Sequence, residues 1–256
     1  MPKSGDYRAL SLDLWSTCLL EAPGLDDRLR TARLRFLQQN LRSPEGGPTE
    51  LWRVEHAIRI VTGELHARGR GSIEVDPAEL IELDSRVLGT TPAKTYEELG
   101  REYSAIGFAE DAPETNPEAE RLVSAVEARG MPVIAITNTG RREESWQEFF
   151  RTRTGLRFSH VVTSCEVGRA KPHEAIFNEA SRRLKLGPGA ILHIGDRWEL
   201  DARGALDAGF GAVLYTGLWE SRPGDGYPQT NLEEVARAGV PCFSRLDDPR
   251  LLDLLA

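Results

Sequence analysis

The chain has little of what disulfide frameworks, thiolate metal sites and membrane proteins are built from. Its 256 residues hold three cysteines, Cys18, Cys165 and Cys242, an odd number with no Cys-x-x-Cys pair. That excludes a zinc ribbon and a stapled small domain, and leaves reduced, mostly buried thiols. The five histidines (His56, His66, His160, His173, His193) make no i, i+4 pair, which argues against a histidine metal site. No apolar run approaches the roughly 20 residues of a membrane span, and the segment from Met1 to Arg8 lacks the apolar centre of a signal peptide. The expectation is a cytosolic protein. Positive charge is also scarce: 32 Lys and Arg against 40 Asp and Glu give a formal net charge of -8. Such a surface repels phosphate backbones and anionic lipid, so neither nucleic acid nor membrane is expected as a partner, whereas a small anionic substrate in a local basic pocket is compatible with it.

What is present divides into three stretches. Tyr7 to Leu19 reads as an apolar strand that delivers Asp13 into a short polar turn ending at Thr17. From there to about residue 111 the apolar spacing is helical. Leu29, Ala32, Leu34, Phe36 and Leu37 mark one helix, and Leu51, Val54, Ile58 and Val61 a second that ends near Gly69 and Gly71. A third opens at Asp76-Pro77-Ala78-Glu79, with an acid at the N-cap, proline at the first helical position and glutamate where a capping box places it. A fourth covers about Tyr96 to Ile106. Beyond the acidic stretch Ala109 to Pro117, helices alternate with short apolar strands at 133–137, 160–163, 190–194, 212–215 and 240–243, the pattern of a parallel sheet covered by helices.

In an open parallel sheet, ligands bind beyond the carboxyl ends of the strands, so polar residues that terminate apolar runs are the ones to collect. These are Asp13, then Thr137 and Asn138, then Gly195-Asp196 with Asp201 five residues on. Between them Gly168-Arg169-Ala170-Lys171-Pro172 offers a lysine just before a helix. Each has an ordinary alternative as a turn former, helix cap or solvated side chain. Arg141 and Arg142, at a helix start where the dipole favours acids, are read as a solvated face.

Taken together these residues resemble the haloacid dehalogenase-like hydrolase superfamily, whose motifs are Asp-x-Asp-x-Thr, a strand-end Thr or Ser, a Lys, and Gly-Asp-x-x-x-x-Asp. The resemblance runs from Tyr7 to about Gly211. It implies a Rossmann-like α/β core of residues 1–20 and 112–256, with a mainly helical cap inserted over residues 21–111. It also implies an aspartyl intermediate on Asp13 and Mg2+ bound by Asp13, the Trp15 backbone carbonyl and Asp196, with Asp201 behind them. Thr137, Asn138 and Lys171 would meet the phosphoryl oxygens of a small phosphorylated metabolite. A hard dication and a lysine suit that site, because packed carboxylates repel one another and an incoming phosphate.

The turn departs from the superfamily pattern at three places. Trp15 stands where an acid usually protonates the leaving group, Ser16 replaces a usual glycine, and Cys18 a frequent leucine. Acid-base help is commonly worth about 10² to 10⁴ in rate, so substrates with good leaving groups are favoured. Three alternatives stay open. The 2-haloacid dehalogenases also lack that acid, but work without metal, against which the acidic fourth motif argues. Phosphonate cleavage needs a cap lysine, and Lys94 alone is present between Glu21 and about Asp111. A metal-binding module of low turnover is the third. Trp15 and Trp198, if both line the entrance, would favour an apolar or aromatic substrate.

Overall fold

The computed structural model describes residues 7–20, 22–69, 73–108, 112–218 and 232–255. Strand β1 (Ala9–Leu12) leads through the Asp13 turn to the two-residue strand β2 (Leu19–Leu20). Four helices follow, α1 (Leu25–Asn40), α2 (Leu51–Gly69), α3 (Pro77–Leu88) and α4 (Tyr96–Ala105), with a small ladder between β3 (Leu41–Arg42) and β4 (Thr91–Pro92). The chain returns at β5 (Glu114–Thr115), antiparallel to β2. It then runs α5 (Pro117–Glu127), β6 (Val133–Thr137), α6 (Glu143–Arg153), β7 (His160–Thr163), α7 (Ser164–Val167), α8 (Glu174–Leu184), β8 (Ile191–Gly195), β9 (Gly211–Tyr215) and β10 (Cys242–Phe243). Glu21 and residues 109–111, where the two boundaries of the expected cap fall, lie outside the described residues, as does Gly71.

The main sheet has the order β10-β9-β8-β1-β6-β7, and every pairing in it is parallel. Period-two alternation sorts its side chains. Leu10 and Leu12, Val133 and Ala135, and Leu192 and Ile194 join one apolar layer with Trp146, Phe149 and Phe150 of α6. Ala9, Ile134, Ile136 and Ile191 join the opposite layer with Ile176 and Phe177 of α8. Burial on both faces explains why these strands read as nearly continuous apolar runs. The three strands that end in candidate site residues, β8, β1 and β6, are neighbours at the middle of the sheet. The α/β core expected from the sequence is therefore present.

The four helices after β2 have a separate apolar cluster, built on Leu37, Val54, Ile81, Leu88, Leu99 and Tyr103. The expected N-cap of α3 forms, with Ala78 N–H donating to Asp76 Oδ1 at 2.8 Å. The reciprocal capping box is found instead at α4, where Thr95 and Glu98 exchange hydrogen bonds. Between β8 and β9 the chain opens as a π-helical turn (Trp198–Arg203) before a short α-helix (Gly204–Asp207).

Two expectations are corrected by burial. Arg142 and Arg141 are not on a solvated face: Arg142 is only 9% exposed and Arg141 3%. Arg142 pairs with both oxygens of Asp76, at 2.7 and 2.6 Å, and with Glu97 at 2.6 and 2.9 Å, so it ties the start of α6 to the starts of α3 and α4. Acids at those helix starts are favoured by the dipole, which left them available to neutralise an arginine arriving from the sheet side. Trp198 does not line an entrance but is buried in the apolar layer beside α8.

One acid breaks the apolar face of α3. Asp84 lies on the buried side with Ile81 and Leu88, is fully buried, and has no hydrogen-bond partner on either oxygen. Burial pushes its carboxyl up to about 7. The unfolded chain ionises this group near pH 4, so between about pH 4 and 7 only the folded state holds the proton, and rising pH favours unfolding by up to about 4 kcal/mol. Asp84→Asn removes that dependence. Its melting temperature should exceed that of the wild type at pH 7.5, with the gap closing towards pH 4.5; a gap independent of pH would contradict a buried, protonated Asp84.

Candidate active site

The site forms where β1, β6 and β8 end. Asp13 follows β1, with its N–H donating to Ile194 O at 2.9 Å, which fixes the turn against β8. Ser16 directly follows Trp15 at φ 57, a left-handed conformation glycine adopts without cost and serine adopts only under constraint. Successive N–H groups of Thr17, Cys18 and Leu19 all aim at Leu14 O, so the turn is closed by its own backbone.

Asp13, Asp196 and Asp201 are all buried, and one carboxylate oxygen from each lies within 4.8 Å of the others. Lys171, 4% exposed, enters from the loop before α8. Its ammonium donates to Asp13 Oδ1 and Asp201 Oδ1, both at 2.5 Å, and to Ile136 O at 3.0 Å, which uses all three of its protons. Asn138 clamps the backbone of this lysine: its Oδ1 accepts from Lys171 N–H at 2.7 Å and its amide donates to Lys171 O at 3.1 Å. The Asn138 side chain expected to meet a phosphoryl group is thus committed to Lys171.

Asp201 is held from behind. The π-helical turn brings the N–H groups of Asp201 and Ala202 to Arg197 O, and Asp201 Oδ2 accepts from Arg197 N–H at 3.0 Å. Gly195 makes this docking feasible, since a Cβ there would overlap the Asp201 carboxyl. Beneath it His193, fully buried, places Nε2 3.5 Å from Asp201 Oδ1 and Nδ1 2.9 Å from Ser11 Oγ. Neither Ser11 nor His193 was singled out from the sequence, because each occupies an apolar-facing position within a strand and carries no motif. Asn116 caps α5, and its amide also donates to Thr17 O at 3.0 Å and Tyr215 Oη at 3.3 Å.

Burial pushes the Asp13 carboxyl upward, opposed by the Lys171 charge and reinforced by that of Asp201. Burial acts the same way on Asp201, yet Lys171 and His193 outweigh it and hold Asp201 below the usual carboxylate range. Lys171 also loses solvation, which its two carboxylate partners more than offset, so it stays charged. Burial lowers the His193 imidazole, partly opposed by its hydrogen bond to Asp201. Three carboxylates against one ammonium leave an excess of two negative charges when all are ionised. Each like-charged pair at 4 Å costs about 4 kcal/mol at an effective dielectric of 20, so this donor set of hard oxygens fits a divalent cation. The hydroxyls of Thr137, at the end of β6, and Thr17, in the Asp13 turn, are buried with no hydrogen-bond partner among the described residues.

Trp15 is half-buried and meets the ring of Trp146 edge-on, with centroids 5.5 Å apart. Trp146 in turn packs on Phe108, Phe149 and Phe150. Lys94 is at the surface, paired with Glu102, which gives no support to a cap lysine working in the site.

Lys171→Met should destabilise the protein by about 3 to 5 kcal/mol in denaturant titration at neutral pH, because it strands two buried carboxylates. Adding Asp201→Asn should recover at least about 1 kcal/mol of that loss. Strict additivity of the two changes would sever the coupling argued from the 2.5 Å contacts.

The fold has counterparts in known proteins. The chain is 34% identical to glyceraldehyde 3-phosphate phosphatase of Methanopyrus kandleri over 97 residues, which is 38% of this chain and 41% of that one. It thus spans about two fifths of that relative's length. It is 26% identical to 5-amino-6-(5-phospho-D-ribitylamino)uracil phosphatase YigB of Escherichia coli over 218 residues, 81% of this chain and 83% of that one. The structure superposes on a 2-haloacid dehalogenase from Pseudomonas syringae pv. Tomato DC3000 with a TM-score of 0.63 and 19% identity, covering 97% and 98% of the two chains. That likeness concerns the fold. The family model for haloacid dehalogenase-like hydrolases matches residues 7–209, from the first strand past Asp201, and the chain belongs to that family.

Proposed function

We propose that this protein is a Mg2+-dependent phosphohydrolase in which Asp13 is the nucleophile, acting on a small phosphorylated metabolite whose leaving group needs little protonation. The observation that carries it is the convergence of Asp13, Asp196 and Asp201 on one point with Lys171 between Asp13 and Asp201. Phosphatases among the relatives support the reaction class. Residues 21–111 act as a cap over the strand ends.

Asp13 Oδ attacks phosphorus, a P–O bond forms to the carboxylate, and the bond to the leaving oxygen breaks. Water then attacks the same phosphorus, inorganic phosphate departs, and the Asp13 carboxylate is regenerated. Dividing one displacement into two is the advantage of a covalent intermediate. Lys171 aims Asp13 and offsets charge on the phosphoryl oxygens, while the Thr137 hydroxyl donates to one of them. Asp13, Asp196 and the Trp15 carbonyl would hold the cation, which supplies electrostatic stabilisation of the phosphoryl oxygens. Asp201, with Oδ1 on Lys171 and Oδ2 on Arg197 N–H, suits a supporting position rather than direct ligation.

Trp15 has no proton to give, and its ring is held by Trp146. The leaving group therefore departs as a stable anion or takes its proton from water. The same feature motivates the second reading, dehalogenation of a 2-haloacid, where halide needs no proton. The acidic cluster weighs against it, because a carboxylate substrate entering beside Asp196 would meet like charge. The resident module of low turnover predicts cation binding without product.

Acyl and aryl phosphates should be hydrolysed at least about 10²-fold faster than simple alkyl phosphates, with loss of phosphate release in Asp13→Asn and in excess EDTA. Halide release from 2-haloacids that persists in EDTA would replace this reading with the second. Trp15→Asp should raise alkyl phosphate turnover by about 10² or more relative to aryl phosphate, as the restored acid helps the poorer leaving group most. An unchanged alkyl to aryl ratio in a folded variant would show that position 15 does not control leaving-group chemistry.

A further inference from the structure

Two adjacent arginines at the start of α6 have opposite surroundings. Arg142 is neutralised by two carboxylates. Arg141 is more deeply buried, at 3% exposure, and has no carboxylate partner among the described residues. One Nη donates to Ile106 O at 2.7 Å, the guanidinium lies 4.5 Å over Phe108 and 5.8 Å from the Trp146 ring, and its buried Nε has no hydrogen-bond partner. Aromatic faces and one carbonyl offset only part of the cost of burying a charge.

A second cation is nearby. Arg33 of α1 lies over the ring of Tyr103 at 5.1 Å, its Nε is likewise buried without a partner, and its charge, after burial, helps lower Arg141 to about 9. Arg141 remains cationic at neutral pH. Arg33, Leu29 and Tyr103 also line a cavity of about 460 Å³ between α1 and α2, together with Arg30, Arg59, Asp26 and Glu55, the last paired with Arg30. Leu29 and Arg141 meet at Gly107, where a Cβ would overlap the leucine. Asp84, which also acts on Tyr103, offers no compensation, since neither of its oxygens is hydrogen-bonded to any group.

The link to the reacting centre is short in sequence and in space. Arg141 is four residues beyond Thr137, and Trp15, two beyond Asp13, touches the same Trp146 ring that Arg141 approaches. We propose that Arg141 and Arg33 form a subsite for a second anionic group of the substrate, a carboxylate or a further phosphate, so that the preferred substrates are phosphomonoesters carrying two anionic ends. This rests on the phosphohydrolase reading and narrows its substrate class. A guanidinium presents paired donors that match either anion, and a buried, unpaired one gains more from it than a solvated one.

The test uses three probes of one chain length: propyl phosphate, 3-(phosphonooxy)propanoate and propane-1,3-diyl bisphosphate. In calorimetric titration of the Asp13→Asn protein with Mg2+, at least one two-anion probe should bind at least tenfold tighter than propyl phosphate. The carboxylate and bisphosphate arms identify which anion is preferred. Arg141→Gln in that background should reduce the advantage to less than threefold, Arg33→Gln should reduce it in part, and Arg141→Lys should retain more of it than Arg141→Gln. In the otherwise wild-type enzyme, the ratio of kcat/KM for the preferred two-anion ester to that for propyl phosphate should fall by tenfold or more in Arg141→Gln, through KM. Equal weakening of all three probes, or no initial preference, would overturn the subsite and leave Arg141 a strut between α6 and the end of α4. If no ester releases phosphate, the phosphohydrolase reading fails, while the binding arm still decides the subsite.

Discussion

A single buried ammonium, that of Lys171, is the constraint on which the rest of the site depends. It bridges Asp13 and Asp201 at 2.5 Å and caps the carbonyl of Ile136, so it joins the ends of β1 and β6 to the π-helical turn after β8. Its position is not left to the loop that carries it, because Asn138 holds both sides of its backbone. The absence of a side chain at Gly195 lets Asp201 approach, and His193 with Ser11 supports Asp201 from within the sheet. Each element would be costly alone: two buried acids, a buried lysine, a strained turn at Ser16. Together their charges and conformations offset one another, which is how local violations persist at a reactive centre.

Charge balance also explains why the aromatic at position 15 is compatible with the site. A further buried acid there would add to an excess of negative charge that the lysine alone does not neutralise. Trp15 instead extends the aromatic stack of Trp146, Phe108, Phe149 and Phe150 up to the turn. The position has exchanged acid-base chemistry for packing that stiffens the wall between the Asp13 turn and α6.

How much of this was legible in the sequence depended on whether a residue acts through local pattern or distant contact. The strand ends could be read because apolar runs terminated by Asp13, Thr137 and Asp196 are local features, and the observed strands begin or end within two residues of expectation. The cap of α3 was legible for the same reason. Arg141 and Arg142 were misread because a basic pair at a helix start looks solvated unless one knows that Asp76, Glu97 and Phe108 arrive from over thirty residues upstream. Asn138 was ambiguous because its partner Lys171 lies 33 residues on. Trp198 sits within a motif, but the π-helical turn rotates it into the core, and no residue type announces that extra backbone bond. His193 had no signal, since a histidine on a buried strand is as consistent with packing as with support of an acid.

The loop 138–142 is the part of the molecule where the carboxylate cluster and the helices α3 and α4 are held by neighbouring side chains. Asn138 fixes Lys171, Arg141 donates to the carbonyl that ends α4, and Arg142 holds the starts of α3 and α4 through four charge-assisted hydrogen bonds. The three side chains leave one short segment towards Lys171, the end of α4 and the starts of α3 and α4. An anion that neutralises Arg141 would remove its repulsion with Arg33 of α1 and so favour the arrangement in which α1 lies against this loop. By linkage, whatever strengthens that arrangement strengthens binding of the anion to the same extent. Helices held by Arg142 would thus need no separate hinge device to respond to such an anion, because the charge left unpaired at Arg141 is the one the anion would satisfy.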